Sequence, residues 1–304
     1  MNSRVQRPVQ VFGLGPCSLD YIAKVPAYPS PDVKCEFSEL VIQGGGPVAT
    51  ALVALARWGL SCAYVGVIGD DLFGTMIRAS LDEEEIDISG LLIRKGCDSQ
   101  LAFIAAEPVV GRRTIFWRRS TGSPPSPKEI NFSRVREARV LHTDGFFQEA
   151  ALAACQEARK AGGLVVVDAG SLREGMLDLA GLSDYFIASE PFATALVGEN
   201  NPVEACRKVA GLGPRVVGVT LGSRGYVAWV EGRVIQRPAF PVEAVDTTGC
   251  GDVFHAGFIY GLIQGWDAEK SLDFAAWSAA QVSRKMGGRS GIPTPREIAE
   301  QGYR

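Results

Sequence analysis

The sequence has few histidines, no cysteine pairs, little net charge and no long apolar runs. Only two histidines occur in 304 residues, which leaves no His-pair spacing for a zinc site. The seven cysteines (17, 35, 62, 97, 155, 206, 250) are scattered, odd in number and contain no C-x-x-C. That argues against a disulfide framework and for reduced thiols in a cytoplasmic protein. A net charge of −3 gives no bulk attraction for nucleic acid or an anionic membrane. No apolar run approaches the length of a membrane span. The N-terminal residues before Val9 lack the apolar stretch of a secretion signal. There is no G-x-x-x-x-G-K-[ST] anywhere, which removes the P-loop classes, and no protein-kinase motif set.

What is present is a chain with a core. Hydrophobic residues make up 46% and charged residues 21%, as expected of a globular protein, and the length suits one large α/β unit spanning 1–304. The most informative stretch is Asp246-Thr247-Thr248-Gly249-Cys250-Gly251-Asp252. After it, Val253, Phe254, Gly257, Phe258, Leu262 and Ile263 recur at helical spacing. The glycines therefore stand where a helix begins, and Asp252 falls in or just before its first turn. A helix N-terminus offers free N–H groups and the positive end of the dipole. Glycine lets a bulky anion approach that backbone. An anion cradle beside a carboxylate suits phosphoryl transfer: the N–H groups hold the phosphate and the carboxylate takes a proton from an attacking hydroxyl. An ordinary Asp/Thr cap with glycines in a turn is the plainer alternative, but it does not call for carboxylates on both sides of the glycines.

In chain order, residues 9–14 read as a buried strand ending at Gly13-Leu14-Gly15. The proline-rich residues 16–31 then read as a loop, with Asp20 just past the strand end. With no helix opening there and no third glycine, the G-x-G is a poor dinucleotide fingerprint. A strand over 33–42 leads through Gly44, Gly45 and Gly46 to Pro47 and a helix to Trp58, a well-formed helix start. A strand at 61–68, a helix to Glu85 and a short strand at 91–94 follow. Two strands at 100–106 and 112–118 form a hairpin crowded by Arg112, Arg113, Arg118 and Arg119. With 33–42 this hairpin is expected to form a small β-rich lid, over about 28–43 and 97–119. From 138 onward, strands (138–143, 164–168, 184–188, 215–220) and helices (148–161, 191–198, 202–210) alternate. A hairpin (226–230, 233–237) and helices at 252–264 and 268–286 complete the chain. This order implies a mostly parallel sheet covered on both faces. Its strand ends carry Asp144, Asp168, Ser189-Glu190 and Thr220-Leu221-Gly222, where ligands of open α/β sheets bind.

The ordered set of motifs resembles the ribokinase-like (PfkB) carbohydrate kinases over nearly the whole chain. It rests on Asp246–Asp252, on Gly44-Gly45-Gly46 with the helix to Leu55-Ala56-Arg57-Trp58-Gly59, on Gly69-Asp70-Asp71-Leu72-Phe73-Gly74, and on Thr220-Leu221-Gly222 with Gly225. The resemblance implies a ribokinase-like doubly wound sheet with a small β lid, and transfer of the ATP γ-phosphate to a hydroxyl of a sugar or sugar derivative. Asp252 would be the base, with Gly249, Cys250 and Gly251 as anion hole. Asp20, Gly45, Gly46, Thr50 and Asp144 would meet the sugar, as would Arg118 from the hairpin. Thr220, Gly222, Gly225 and Ser189 would meet the nucleotide. Glu190 would help hold Mg²⁺, and Asp246 with 287–291 would lie where many members hold a monovalent cation such as K⁺. The chain departs from the family at Cys250 (usually Ala or Ser), at Thr50 (usually Asn) and at Ser189-Glu190-Pro191-Phe192, where the family has N-x-x-E. The hairpin arginines favour a keto or acidic sugar as acceptor. A nucleoside kinase of the same fold and a non-catalytic sugar- or nucleotide-binding protein are the alternatives. The edges of the lid strands suggest a homodimer.

Overall fold

The computed structural model describes residues 8–107 and 112–303. The first half runs β1 (Val11–Leu14), β2 (Ser18–Lys24), β3 (Glu39–Gly45), α1 (Pro47–Arg57), β4 (Cys62–Val65), β5 (Val67–Gly69), α2 (Leu72–Asp82), β6 (Leu92–Arg94), β7 (Gln100–Glu107) and β8 (Arg112–Arg118). Next come α3 (Phe132–Glu137), β9 (Val140–Thr143), α4 (Gln148–Lys160), β10 (Leu164–Ala169), α5 (Met176–Leu182), β11 (Tyr185–Ser189), α6 (Glu190–Val197) and α7 (Pro202–Ala210). The last elements are β12 (Val216–Thr220), β13 (Tyr226–Val230), β14 (Arg233–Arg237), α8 (Cys250–Gln264), α9 (Ala268–Val282) and α10 (Pro295–Glu300).

Eight strands form the main sheet in the order β14-β13-β12-β11-β10-β9-β1-β4. The six from β12 to β4 are parallel, and the β13–β14 hairpin adds an antiparallel edge. The parallel strands are mostly apolar and mostly buried because helices cover both faces. In β10, Val166 packs into the cluster with α1, α8 and α9, while Val165 and Val167 point into the cluster with α4, α5 and α7. Helix α8 lies within the first cluster with α1 and α9 against it, and most of its residues are buried. Its apolar character all round follows from that position.

A second sheet has the order β3-β2-β7-β8. Ile22, Ala102, Ile104 and Ala106 of this sheet pack on Met286 of the body. The opposite face leaves Leu40, Ile42, Phe103 and Phe116 exposed.

Three expectations change. Residues 18–24 are a strand at the centre of the small sheet, paired with both β3 and β7. The prolines that suggested a loop flank it at 16 and 26 and do not interrupt it. Asp20 therefore sits inside a strand. The strand expected at 33–42 starts at Glu39 and runs to Gly45. Helices α3, α5 and α10 were not anticipated; at six or seven residues each they are too short to show a helical period. The turn expected between the hairpin strands, at 108–111, lies outside the described residues.

Candidate active site

The 246–252 stretch forms a locked turn at the start of α8. Asp246 Oδ1 accepts from Thr248 N at 2.9 Å and Thr248 Oγ1 at 2.8 Å, and Oδ2 accepts from Gly287 N at 2.8 Å. Gly249 is the N-cap with φ 76°, a left-handed conformation that suits glycine. A Cβ there would lie 2.4 Å from Gly288 Cα. Gly249 thus packs directly on the segment that Asp246 holds. No side chain caps this helix; Cys250 N–H donates to Thr247 O at 3.3 Å, and the neighbouring N–H groups of the turn are left to meet a ligand. A Cβ on Gly251 would meet nothing within 4 Å, so that face of the turn is open.

Carboxylates converge below the turn. Asp252, partly accessible, has its pKa raised well above the ordinary carboxylate range by burial, then by the charges of Asp168, Asp20 and Asp144; Arg113 opposes the shift. Asp20 is buried and accepts from Ser18 Oγ at 2.7 Å. Burial raises its pKa, tempered by Ser18 and Arg289. A Cβ on Gly45 would lie 2.0 Å from Asp20 Oδ2, so only glycine admits that carboxylate. Gly46 (φ 100°) turns the chain into α1, and its carbonyl accepts the N–H of the buried Thr50 at 2.9 Å. Asp144 Oδ1 accepts from Phe146 N at 3.0 Å, while its buried Oδ2 has no partner among the described residues. Burial, with Asp168 adding to it, pushes the Asp144 carboxyl up to about 8.

The Asp144 shift makes stability depend on pH. A carboxyl that titrates near 8 when folded and near 3.8 when unfolded binds its proton more tightly in the folded state. Stability from this group is therefore full below pH ~4 and is lost as pH rises towards ~8. Asp144→Asn removes that loss. Its stability should exceed that of wild type at pH 8 by an amount on the order of a few kcal/mol, read as a higher melting temperature, and the gap should close on acidification to pH 4. A gap that does not vary with pH in calorimetry contradicts this.

Arginines supply the counter-charges. Arg113 of β8 donates from Nη1 to Thr247 Oγ1, so the small sheet touches the α8 turn. Arg118 instead faces Asp98 at 3.1 Å and Ser99 O at 3.5 Å. The hairpin arginine brought to the turn is thus Arg113. Arg289 is buried, and Ser80 Oγ lies 3.4 Å from its Nη1. The absence of a side chain at Gly44 makes room for Arg289, since a Cβ there would lie 2.6 Å from Nη1.

The other group of candidate residues lies on β11 and β12, whose register pairs Ser189 with Thr220. Thr220 Oγ1 donates to Ala188 O at 3.3 Å. Gly222 (φ 59°) and Gly225 (φ 89°) shape the following turn, and a Cβ on Gly225 would lie 2.0 Å from Arg237 O. Ser189 caps α6, accepting from Phe192 N at 3.2 Å and donating to Gly170 O at 2.9 Å. Glu190 is paired with Arg224. His255 Nδ1 lies 2.8 Å from Gly251 O and 3.6 Å from Asp168 Oδ2, and Nε2 lies 3.3 Å from Ile187 O. His255 stacks on the other histidine, His142, at 5.5 Å. Among the described residues no group of three or more His, Cys, Asp or Glu forms a metal cage.

A family model described as pfkB family carbohydrate kinase matches residues 10–295. The chain belongs to the pfkB carbohydrate kinase family. Within that family it is 29% identical to the 2-dehydro-3-deoxygluconokinase of Thermoproteus tenax, covering 84% of each chain. It is 28% identical to the ATP-dependent ribose-1-phosphate kinase of Halopiger xanaduensis, covering 96% of this chain and 97% of the other. The Arabidopsis thaliana ribokinase complexed with ribose and ATP superposes with a TM-score of 0.84 at 21% identity, over 97% of this chain and 98% of that one. The fold is thus the ribokinase-like α/β fold. Sequence reasoning assigned this pfkB member no role for Arg173 or His255, met Arg289 only within the 287–291 segment, and gave Asp168 only a strand end. Arg113 was noted within the hairpin but not chosen.

Proposed function

We propose that the chain transfers the γ-phosphate of ATP to a hydroxyl of a sugar or sugar derivative. The observation that carries this is Asp252 standing in the first turn of an uncapped helix, with Asp20 and Asp144 close enough to shift its titration. An alcohol is a poor nucleophile, and a positioned carboxylate that accepts its proton adds about 10²–10⁴-fold. The N–H groups of 249–251 take the charge of the transferring group. Asp20, Asp144, Gly45, Gly46 and Thr50 form the acceptor side. Thr220, Gly222, Gly225 and Ser189 form the nucleotide side, three strands away across the sheet. Retention of Asp252 favours this reading over a non-catalytic binder, which has no physical need of the carboxylate.

Magnesium ordinarily binds through one or two carboxylates plus substrate phosphates. Glu190 and Ser189 would stand nearest, and the ion would supply charge neutralisation on the phosphates. Asp246 already meets three donors, and this arrangement does not require a potassium ion beside it. The small sheet acts as a lid that excludes water from the acceptor, with Arg113 as its contact to the phosphate turn. Its exposed face of Leu40, Ile42, Phe103 and Phe116 would pair two copies; a monomer by light scattering removes that element. Seven unpaired cysteines suit a cytoplasmic setting, and no helix among the described residues is long and apolar enough to cross a membrane.

The test is ADP formation across a panel of sugars, sugar acids and nucleosides. Sugar-dependent ADP formation is expected. Stimulation by nucleosides alone moves the assignment to a nucleoside kinase, and stimulation by none of them overturns it.

A further inference from the structure

Arg173 stands out in this site. It lies on the loop after β10, and its Nη2 donates to the Asp144 carbonyl at 2.5 Å. Its guanidinium carbon sits 3.6 Å from the centroid of the Phe146 ring. Nε and Nη1 are both buried and have no hydrogen-bond partner among the described residues. No carboxylate there lies within ion-pair distance of it. In a half-buried guanidinium, two buried donors left idle are an unfavourable state that a bound anion relieves. Burial holds the Arg173 pKa below its ordinary value, opposed by the charges of Asp144 and Asp168. Arg119, exposed at the end of β8, is close enough to Arg173 to bear on its titration and stacks 5.2 Å from the Trp117 ring. A cationic group of the small sheet therefore stands near enough to Arg173 for its charge to be felt there.

Position decides which ligand this serves. The contacts of Arg173 are to Asp144 and Phe146 at the end of β9, and β9 is separated by β10 and β11 from the Thr220 strand. Arg119 continues the sheet that carries Asp20. Both arginines thus belong to the acceptor end. The idle Asp144 Oδ2 beside them suits a hydroxyl of the same molecule, and the partly exposed Phe146 ring offers an apolar platform. We propose that the acceptor is an anionic sugar, bearing a carboxylate, phosphate or sulfonate, and that Arg173 assisted by Arg119 binds that group. This deepens the sugar-kinase reading and rests on it for the identity of the pocket.

The experiment compares anionic sugars with neutral parents: gluconate and 2-dehydro-3-deoxygluconate against glucose, ribose 1-phosphate against ribose, and a 6-sulfonated ketose against fructose. ATP-free calorimetric binding and ADP-coupled turnover are both read on wild type, Arg173→Gln, Arg173→Lys and Arg119→Gln. At least one anionic member is expected to bind about tenfold or more tighter than its parent. Arg173→Gln should abolish that preference without raising the KM for ATP, Arg173→Lys should restore part of it, and Arg119→Gln, on an exposed side chain, should act in the same direction more weakly. The inference is overturned if wild type treats the pairs alike, if no anionic sugar binds, or if Arg173→Gln raises the KM for ATP instead. Arg173-dependent binding of an anionic sugar without any turnover upholds it while removing the kinase reading. Turnover confined to neutral sugars does the reverse.

Discussion

Asp252→Asn should lower turnover by about 10²–10⁴-fold, the usual contribution of a positioned general base. Asn keeps the shape and first-turn position but cannot take the hydroxyl proton. The KM for ATP should change little, because the N–H groups of 249–251 belong to the backbone. The variant should also melt no lower than wild type near neutral pH: the carboxylate it removes is disfavoured by burial and by Asp168, Asp20 and Asp144. Steady-state kinetics and calorimetry on one preparation check both parts. Turnover near wild type, or a loss expressed only in the KM for ATP, contradicts the role given to Asp252.

The second large effect is expected at Gly249. Its φ of 76° and the 2.4 Å separation of a Cβ from Gly288 Cα oppose any side chain, and the obstructing atoms are all Gly288 backbone. Gly249→Ala should cost about 1–3 kcal/mol of stability through the forced conformation. It should also swing the N–H cradle away from the phosphate, losing roughly 10²–10³-fold in turnover, as removal of an oxyanion donor does. Gly251→Ala, two residues on, is the control. Open space surrounds that position, so its melting temperature should stay at or above that of wild type. Equal melting losses for both variants would show that the packing of 249 on 288 does not set the turn.

The sequence was readable where a local signal and a tertiary role coincided. The α8 turn was found because glycines, two carboxylates and an apolar helical period stand next to each other in the chain. The alternating second half gave the parallel sheet for the same reason: strand and helix segments follow one another directly in the chain, and that order implies a parallel sheet covered on both faces. What was lost depended on contacts distant in sequence. The 18–24 strand is framed by prolines and looks like loop until β3 and β7 are set beside it. Arg118 and Arg113 are indistinguishable in a basic hairpin; strand register points one to Asp98 and the other to Thr247. Arg173 lies in a loop with no motif, and only its burial beside Asp144 marks it. His255 reads as one more position in an apolar helix, although its ring spans the Gly251 and Ile187 carbonyls.

The segment 287–289 has an evolutionary consequence. Gly287 donates to Asp246, Gly288 abuts Gly249, and Arg289 fills the space left open at Gly44 while its charge bears on Asp20. Three consecutive residues thus form a wall common to the 246–252 turn and to β2 and β3, the proposed phosphate and acceptor sides. Substitutions that retune acceptor choice through this wall carry a penalty at the phosphate end. A lineage changing its sugar therefore has freer ground at the end of β8 and in the loop after β10, where Arg119 and Arg173 sit apart from that shared support.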